Sequence, residues 1–105
     1  MYPVREIEVA DLQKMIEDEH LVQLVDVRNP TEVARGAIPG SSNVPLHLIP
    51  LHMTQLPQSG PVVLYCHSGA RSAQACAFLN QQGVENVYNL RGGIQAWISS
   101  GLQVA

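Results

Sequence analysis

Three short, mostly apolar runs limit what this chain can become: Leu21–Val27, Val62–Tyr65 and Val87–Leu90. Each is rich in Val or Leu and too brief for a helix, so each reads as a buried strand. Helical patterns lie between them. Asp11–Glu19 places Leu12, Met15 and Ile16 on one face and charges on the other. Asn29-Pro30-Thr31-Glu32 is a helix start, with Asn29 as cap, Pro30 at the first helical position and Glu32 reaching back; Gly36 ends that short helix. Arg71–Gln82 sets Ser72, Ala75, Cys76 and Leu79 on one face and stops at Gly83. Gly92-Gly93 turns into a last helix with Ile94, Trp97 and Ile98 facing inward, ending at Gly101. Residues 37–45 are turn-rich, with a two- or three-residue strand near Asn43-Val44, and Leu46–Leu56 reads as a short helix or irregular cover. Strands alternating with helices predict one α/β domain over residues 1–105 with a mostly parallel sheet. Ligands in such sheets bind beyond the carboxyl ends of strands.

Charge and composition remove other classes. Apolar residues at 46% and charged residues at 14% are ordinary for a folded domain. A net charge of −3 has the wrong sign for a general nucleic-acid or anionic-membrane binder. The charge is uneven: residues 1–32 hold eight acidic and three basic side chains, whereas Arg35, Arg71 and Arg91 face only Glu85 in residues 33–105. The uncharged stretch between Arg35 and Arg71 is broken by five prolines and cannot make a spanning helix. With no basic, then apolar, leader at the N-terminus, a cytoplasmic location is expected, or else a processed or excised domain. Cys66 and Cys76 are too few for a disulfide framework and lack zinc spacing, so free thiols are expected.

The strongest chemical feature is Tyr65-Cys66-His67-Ser68-Gly69-Ala70-Arg71-Ser72. A buried strand delivers a thiol to its end, and four residues later Arg71 opens a helix. A loop this short, with Gly69 and Ala70 inside it, can curl so that its N–H groups point at the sulfur. The helix N-terminus adds partial positive charge. Both favour the thiolate, which is the nucleophile.

These residues resemble the active-site loop of rhodaneses, the thiosulfate sulfurtransferase superfamily. Three further segments are similar to its motifs in order: Leu24-Val25-Asp26-Val27-Arg28 with Pro30 and Glu32; Gly36-Ala37-Ile38-Pro39-Gly40-Ser41 through Pro45; and Asn86–Leu90 with Gly92-Gly93 and Trp97. The resemblance implies a three-layer α/β/α domain with about five short strands. It implies that Cys66 accepts a sulfane sulfur, becomes a persulfide and passes the sulfur on. The backbone of His67, Ser68, Gly69, Ala70 and Arg71 would bind the substrate sulfur, with Asp26 and Arg28 in support. A small thiosulfate-like anion as donor, and a thiol, cyanide or protein as acceptor, follow from the same likeness, with no cofactor or metal. Ala37 departs from the family, which usually has His there.

Alternatives stay open beside it. A Cys-dependent phosphatase or arsenate reductase would use a similar loop, but with one more residue between Cys and Arg. A non-catalytic or sulfur-relay binding module is the other. Arg71 either binds an anionic donor or braces the loop against Asp26 or Glu32. His67 adjoins Cys66 without forming a ready dyad, and His20, His47 and His52 read as surface residues. Cys76 reads as a packing thiol and Trp97 as a core anchor. An acidic N-terminal third on the far side of the sheet would leave the loop in positive potential, drawing an anionic donor.

Overall fold

The computed structural model describes residues 3–18 and 21–105. Five parallel strands, β1 (Glu6–Ile7), β2 (Gln23–Asp26), β3 (Ser42–Asn43), β4 (Val62–Tyr65) and β5 (Val87–Leu90), form one sheet in the order β1-β5-β4-β2-β3. The helices are α1 (Val9–Glu17), α2 (Pro30–Val33), α3 (Ile49–His52), α4 (Ala70–Gln81) and α5 (Gly93–Ser99), with a 3-10 turn on each side of α3.

Side-chain alternation along β4 explains the layers. Val62, Leu64 and Cys66 join Ile49, Ala75, Cys76 and Leu79 in a core beneath α3 and α4. Val63 and Tyr65 point the other way, into a core with Leu12, Ile94 and Trp97 from α1 and α5. Both faces of the strand are dry, which is why it reads as an unbroken apolar run. Trp97 anchors its core, and its indole N–H donates to the Gln103 carbonyl at 2.8 Å.

Several expectations shift. The first helix begins two residues early, because Glu8 and Asp11 make a reciprocal capping box, with the Glu8 N–H on the Asp11 carboxylate at 3.0 Å. Its inward stripe is Val9 and Leu12; Ile16, at 43% exposure, overhangs the edge. Glu19 and His20 lie outside the described residues. Ile98 does not face inward: at 53% exposure it sits on the flank of α5, whose buried side is Gly93, Ile94 and Trp97. It helps line a cleft of about 310 Å³ with Arg35, His67 and Val104. β1 was not anticipated, since two residues carry no period. α2 starts as expected on Asn29, Pro30 and Glu32.

All strands being parallel, every β-to-α connection leaves from the same end of the sheet. The β2–α2, β4–α4 and β5–α5 turns therefore converge. Register places Asp26 beside Tyr65, and Leu64 beside Asn89.

Candidate active site

Cys66 sits where those turns meet. It is the first residue beyond β4 and is buried, while the side chains of His67 and Ser68 point to solvent. The loop closes at Gly69, which has φ +103° and precedes the first turn of α4. That left-handed conformation favours glycine, and it brings the Gly69 N–H to 3.1 Å from Cys66 Sγ.

The peptides of the loop are aimed from outside it. At the N-terminus of α5, the Ile94 N–H donates to the Cys66 carbonyl at 2.9 Å and the Gln95 N–H to the His67 carbonyl at 3.1 Å. A trans peptide holds its C=O and N–H on opposite sides. Drawing these two carbonyls out toward α5 thus turns the N–H groups of His67 and Ser68 into the loop. Gly93 makes the approach possible: a Cβ there would lie 2.5 Å from both carbonyl oxygens, and its φ is +60°. The family-like Gly-Gly pair thus has a specific task at its second member.

Ser72, on the first turn of α4, is buried with its hydroxyl 3.5 Å from Cys66 Sγ. Burial pushes the Cys66 thiol up. Hydrogen bonds from the Ser72 hydroxyl and from the N–H groups of Ser72, Gly69 and Ser68 outweigh it and hold the thiol below its ordinary value. Cys76 differs: it is fully buried on the apolar face of α4, and burial, with Glu6 adding to it, pushes its thiol up to about 12. One thiol is prepared to ionise and the other is not.

Arg71 is paired across to α2. Its two terminal nitrogens donate to the two carboxylate oxygens of Glu32 at 2.8 and 2.9 Å. The same carboxylate caps α2 by accepting the Asn29 N–H at 3.1 Å. Arg71 beside it, helped by the Asn29 N–H, outweighs burial and lowers the Glu32 carboxyl to about 2. Asp26 and Arg28 form a buried pair at 2.7 Å, and Arg28 also donates to the Gly36 carbonyl at 2.7 Å. These two are scaffold: they hold residues 26–36 in place beside the loop.

Two carboxylates of the acidic N-terminal third therefore lie beside the loop. Asp26 and Glu32 emerge at the carboxyl end of β2, next to the loop, and neutralise Arg28 and Arg71 there. The parallel sheet brings the β2–α2 turn to that end. The remaining sequence-selected residues scatter as follows. His47 is exposed, and His52 is half-buried with its ring 3.4 Å from the Gln55 side chain. At Ala37, the backbone pairs with the Ala105 backbone, and the Ile38 N–H donates to the Tyr65 hydroxyl at 3.0 Å. The segment is thus oriented without a histidine.

Ser72, Asn89 and Gly93 were not singled out for the site. Ser72 and Asn89 read as ordinary members of a helix face and a strand; only their being polar on buried positions marked them.

The rhodanese-like domain profile matches residues 8–100. The chain belongs to that family. It is 50% identical over 101 residues to a protein of Allochromatium vinosum named sulfurtransferase, covering 96% of this chain and 94% of that one. It is 36% identical over 81 residues to the thiosulfate sulfurtransferase GlpE of Pseudomonas aeruginosa, covering 77% and 74%. A crystal structure of a rhodanese-related protein from Thermoplasma volcanium superposes with a TM-score of 0.86 at 36% identity, covering 96% and 97%. The rhodanese-like fold is thus shared, and the relatives include named sulfurtransferases. Among the described residues, no helix is long and apolar enough to cross a membrane.

Proposed function

We propose that this chain is a sulfurtransferase carrying a sulfane sulfur on Cys66 between a small anionic donor and a thiophilic acceptor. The observation that carries the reading is the set of donors turned toward Cys66 Sγ, the Gly69 N–H at 3.1 Å and the Ser72 hydroxyl at 3.5 Å. With a thiosulfate-like donor, the Cys66 thiolate attacks the outer sulfur. The donor's S–S bond breaks, its electron pair leaves on sulfite, and Cys66 holds a persulfide. An acceptor such as cyanide or a thiolate then attacks the outer sulfur, and Cys66 departs as thiolate. Splitting the transfer this way is ping-pong catalysis. The N–H donors stabilise negative charge on sulfur at each stage.

His67, Ser68, Gly69 and Ala70 contribute through the backbone, and Arg71 through the shape it gives the loop. Four residues between Cys66 and Arg71 make a smaller ring than phosphate chemistry uses, which favours sulfur over a tetrahedral oxyanion. The test is intact-protein mass before and after thiosulfate, with peptide mapping. Gain of one sulfur atom on Cys66, absent in Cys66→Ser, is expected. Release of phosphate from an aryl phosphate, without sulfur gain, would overturn the reading.

A further inference from the structure

The proton of Ser72 has two candidate acceptors, and the Asn89 side chain decides between them. The Asn89 Nδ2 group donates to Glu6 Oε2 at 2.9 Å and to the Gly69 carbonyl at 3.1 Å. Both are acceptors only, so both amide hydrogens are used and the flip of the amide is fixed. Its Oδ1 is left facing Ser72, in a short hydrogen bond with Oγ. An amide oxygen only accepts, so this bond takes the single hydroxyl proton of Ser72. The other neighbour of that hydroxyl is Cys66 Sγ at 3.5 Å. While Cys66 is a thiol, its S–H can donate to the Ser72 oxygen and every group is satisfied. When Cys66 ionises, the sulfur draws the hydroxyl proton, and Asn89 Oδ1, buried, loses its donor.

We propose that Asn89 is a positioning residue for Cys66: through Ser72 it competes with the sulfur for one proton and so restrains ionisation of the thiol. The Ser72 hydroxyl is a two-position rotor, on Asn89 with the thiol and on Sγ with the thiolate. No bond other than hydrogen bonds changes. The strand β1 enters the site through this device, since Glu6 aims the amide. The use of the restraint rests on the sulfur-transfer reading. A thiolate with fewer hydrogen bonds is the stronger nucleophile, and attack is fastest when the thiol titrates near ambient pH. When the persulfide discharges, the rotor can swing to the departing sulfur.

Other charged groups surround the sulfur, and none duplicates this route. Arg71 from α4 is paired with Glu32 of α2, and Arg28 with Asp26 of β2. On the β1–β5 edge, Glu6 and Glu8 pair with Arg91. His67 adjoins Cys66 in the loop, and α5 contributes only backbone N–H groups there.

The direction of one shift separates competition from simple support. If Asn89 merely holds the loop through the Gly69 carbonyl, Asn89→Leu loosens the N–H ring and raises the Cys66 midpoint. That carbonyl keeps the Ala73 N–H at 3.1 Å in any case. Competition predicts the opposite. The experiment measures the pH dependence of iodoacetamide alkylation, with the modified cysteine identified by peptide mass spectrometry. Asn89→Leu should lower the midpoint by about half a pH unit, the scale of one modest hydrogen bond. Ser72→Ala should raise it, and the double variant should match Ser72→Ala, because the route runs through that hydroxyl. A midpoint for Asn89→Leu at or above the unsubstituted protein, or a lowering that persists without Ser72, overturns the proposal. If Asn89→Leu fails to fold, the unsubstituted protein supplies the answer. Its Asn89 13Cγ resonance should titrate with Cys66, and should not in Ser72→Ala; a flat resonance in the unsubstituted protein overturns it equally. Neither readout needs a sulfur donor, so failure here is distinct from failure of the sulfur-transfer reading.

Discussion

The Arg71–Glu32 pair ties the active-site loop to α2, and its removal should act on stability and on both halves of the reaction together. The Glu32 carboxyl is lowered to about 2 from an ordinary 4.5, first by Arg71. Taken whole, that displacement corresponds to about 3 kcal/mol. Both side chains are partly open to water, 36% for Arg71 and 30% for Glu32. Water and salt screen such a pair, and part of the lowering belongs to the Asn29 N–H. We therefore expect about 1 kcal/mol of coupling, at the upper end for exposed pairs because the contact is bidentate.

The assay is urea unfolding of the unsubstituted chain, Arg71→Ala, Glu32→Gln and the double variant. Glu32→Gln keeps an oxygen for the Asn29 N–H, so it removes the charge without removing the cap. The folded carboxyl is the stronger acid. Its contribution is therefore complete above about pH 5 and disappears as pH falls from there toward about 2. The stability gap between the unsubstituted chain and Glu32→Gln should accordingly narrow in acid. Arg71→Ala should slow sulfur loading and sulfur discharge by similar factors. A variant that loses only the loading step, at unchanged stability, would show that Arg71 binds the donor and that the bracing argument is wrong.

Four further outcomes are expected. Cys76→Ala should keep full activity and lose about 1 kcal/mol of stability through packing alone, measured by the same urea curves; loss of turnover at unchanged stability would contradict its assignment. Gly93→Ala should depress activity and stability together, because its Cβ would overlap the Cys66 and His67 carbonyls; a fully active, stable variant would refute the peptide-aiming argument. Asp26→Asn should cost about 3 kcal/mol or more by leaving Arg28 buried without its counter-charge, with thermal unfolding as the check. The donor KM should rise only weakly with salt, since Arg28 and Arg71 are already paired; a steep rise would restore a side-chain field as the means of donor capture.

What the sequence disclosed follows from the range over which each feature is decided. The β4 strand is apolar because both its faces are covered, and four adjacent residues state that. The α2 start is written in Asn29, Pro30 and Glu32, which touch one another locally. Cys66 was legible because strand, small-residue loop and helix are contiguous. The partner of Arg71 was not, since Glu32 stands 39 positions away and competes on paper with Asp26. Asn89 illustrates the same limit more sharply. Its neighbours are Glu6 from β1 and Gly69 and Ser72 from the start of α4, two other segments, so nothing around position 89 announces them. Ile98 shows that a helical stripe predicts which residues share a side, while the placement of the helix decides how wide a stripe the core accepts.

Counting charges along the chain gave a basic stretch beyond residue 33, and folding pairs two of its three arginines while Arg35 lines the cleft beside His67. Arg71 meets Glu32 and Arg91 meets Glu6 and Glu8, while Arg28, from before that stretch, meets Asp26. What remains pointed at Cys66 Sγ is backbone N–H and the Ser72 hydroxyl. That choice suits chemistry on one sulfur atom. Side-chain cations are long and pair with whatever carboxylate the parallel topology delivers to the same end of the sheet. Peptide N–H groups are short, fixed by carbonyls held on α5, and cannot be drawn away by Asp26 or Glu32. A loop built this way keeps its donors aimed at Sγ. The acidic residues beside it then act as struts for the surrounding turns and do not oppose the site.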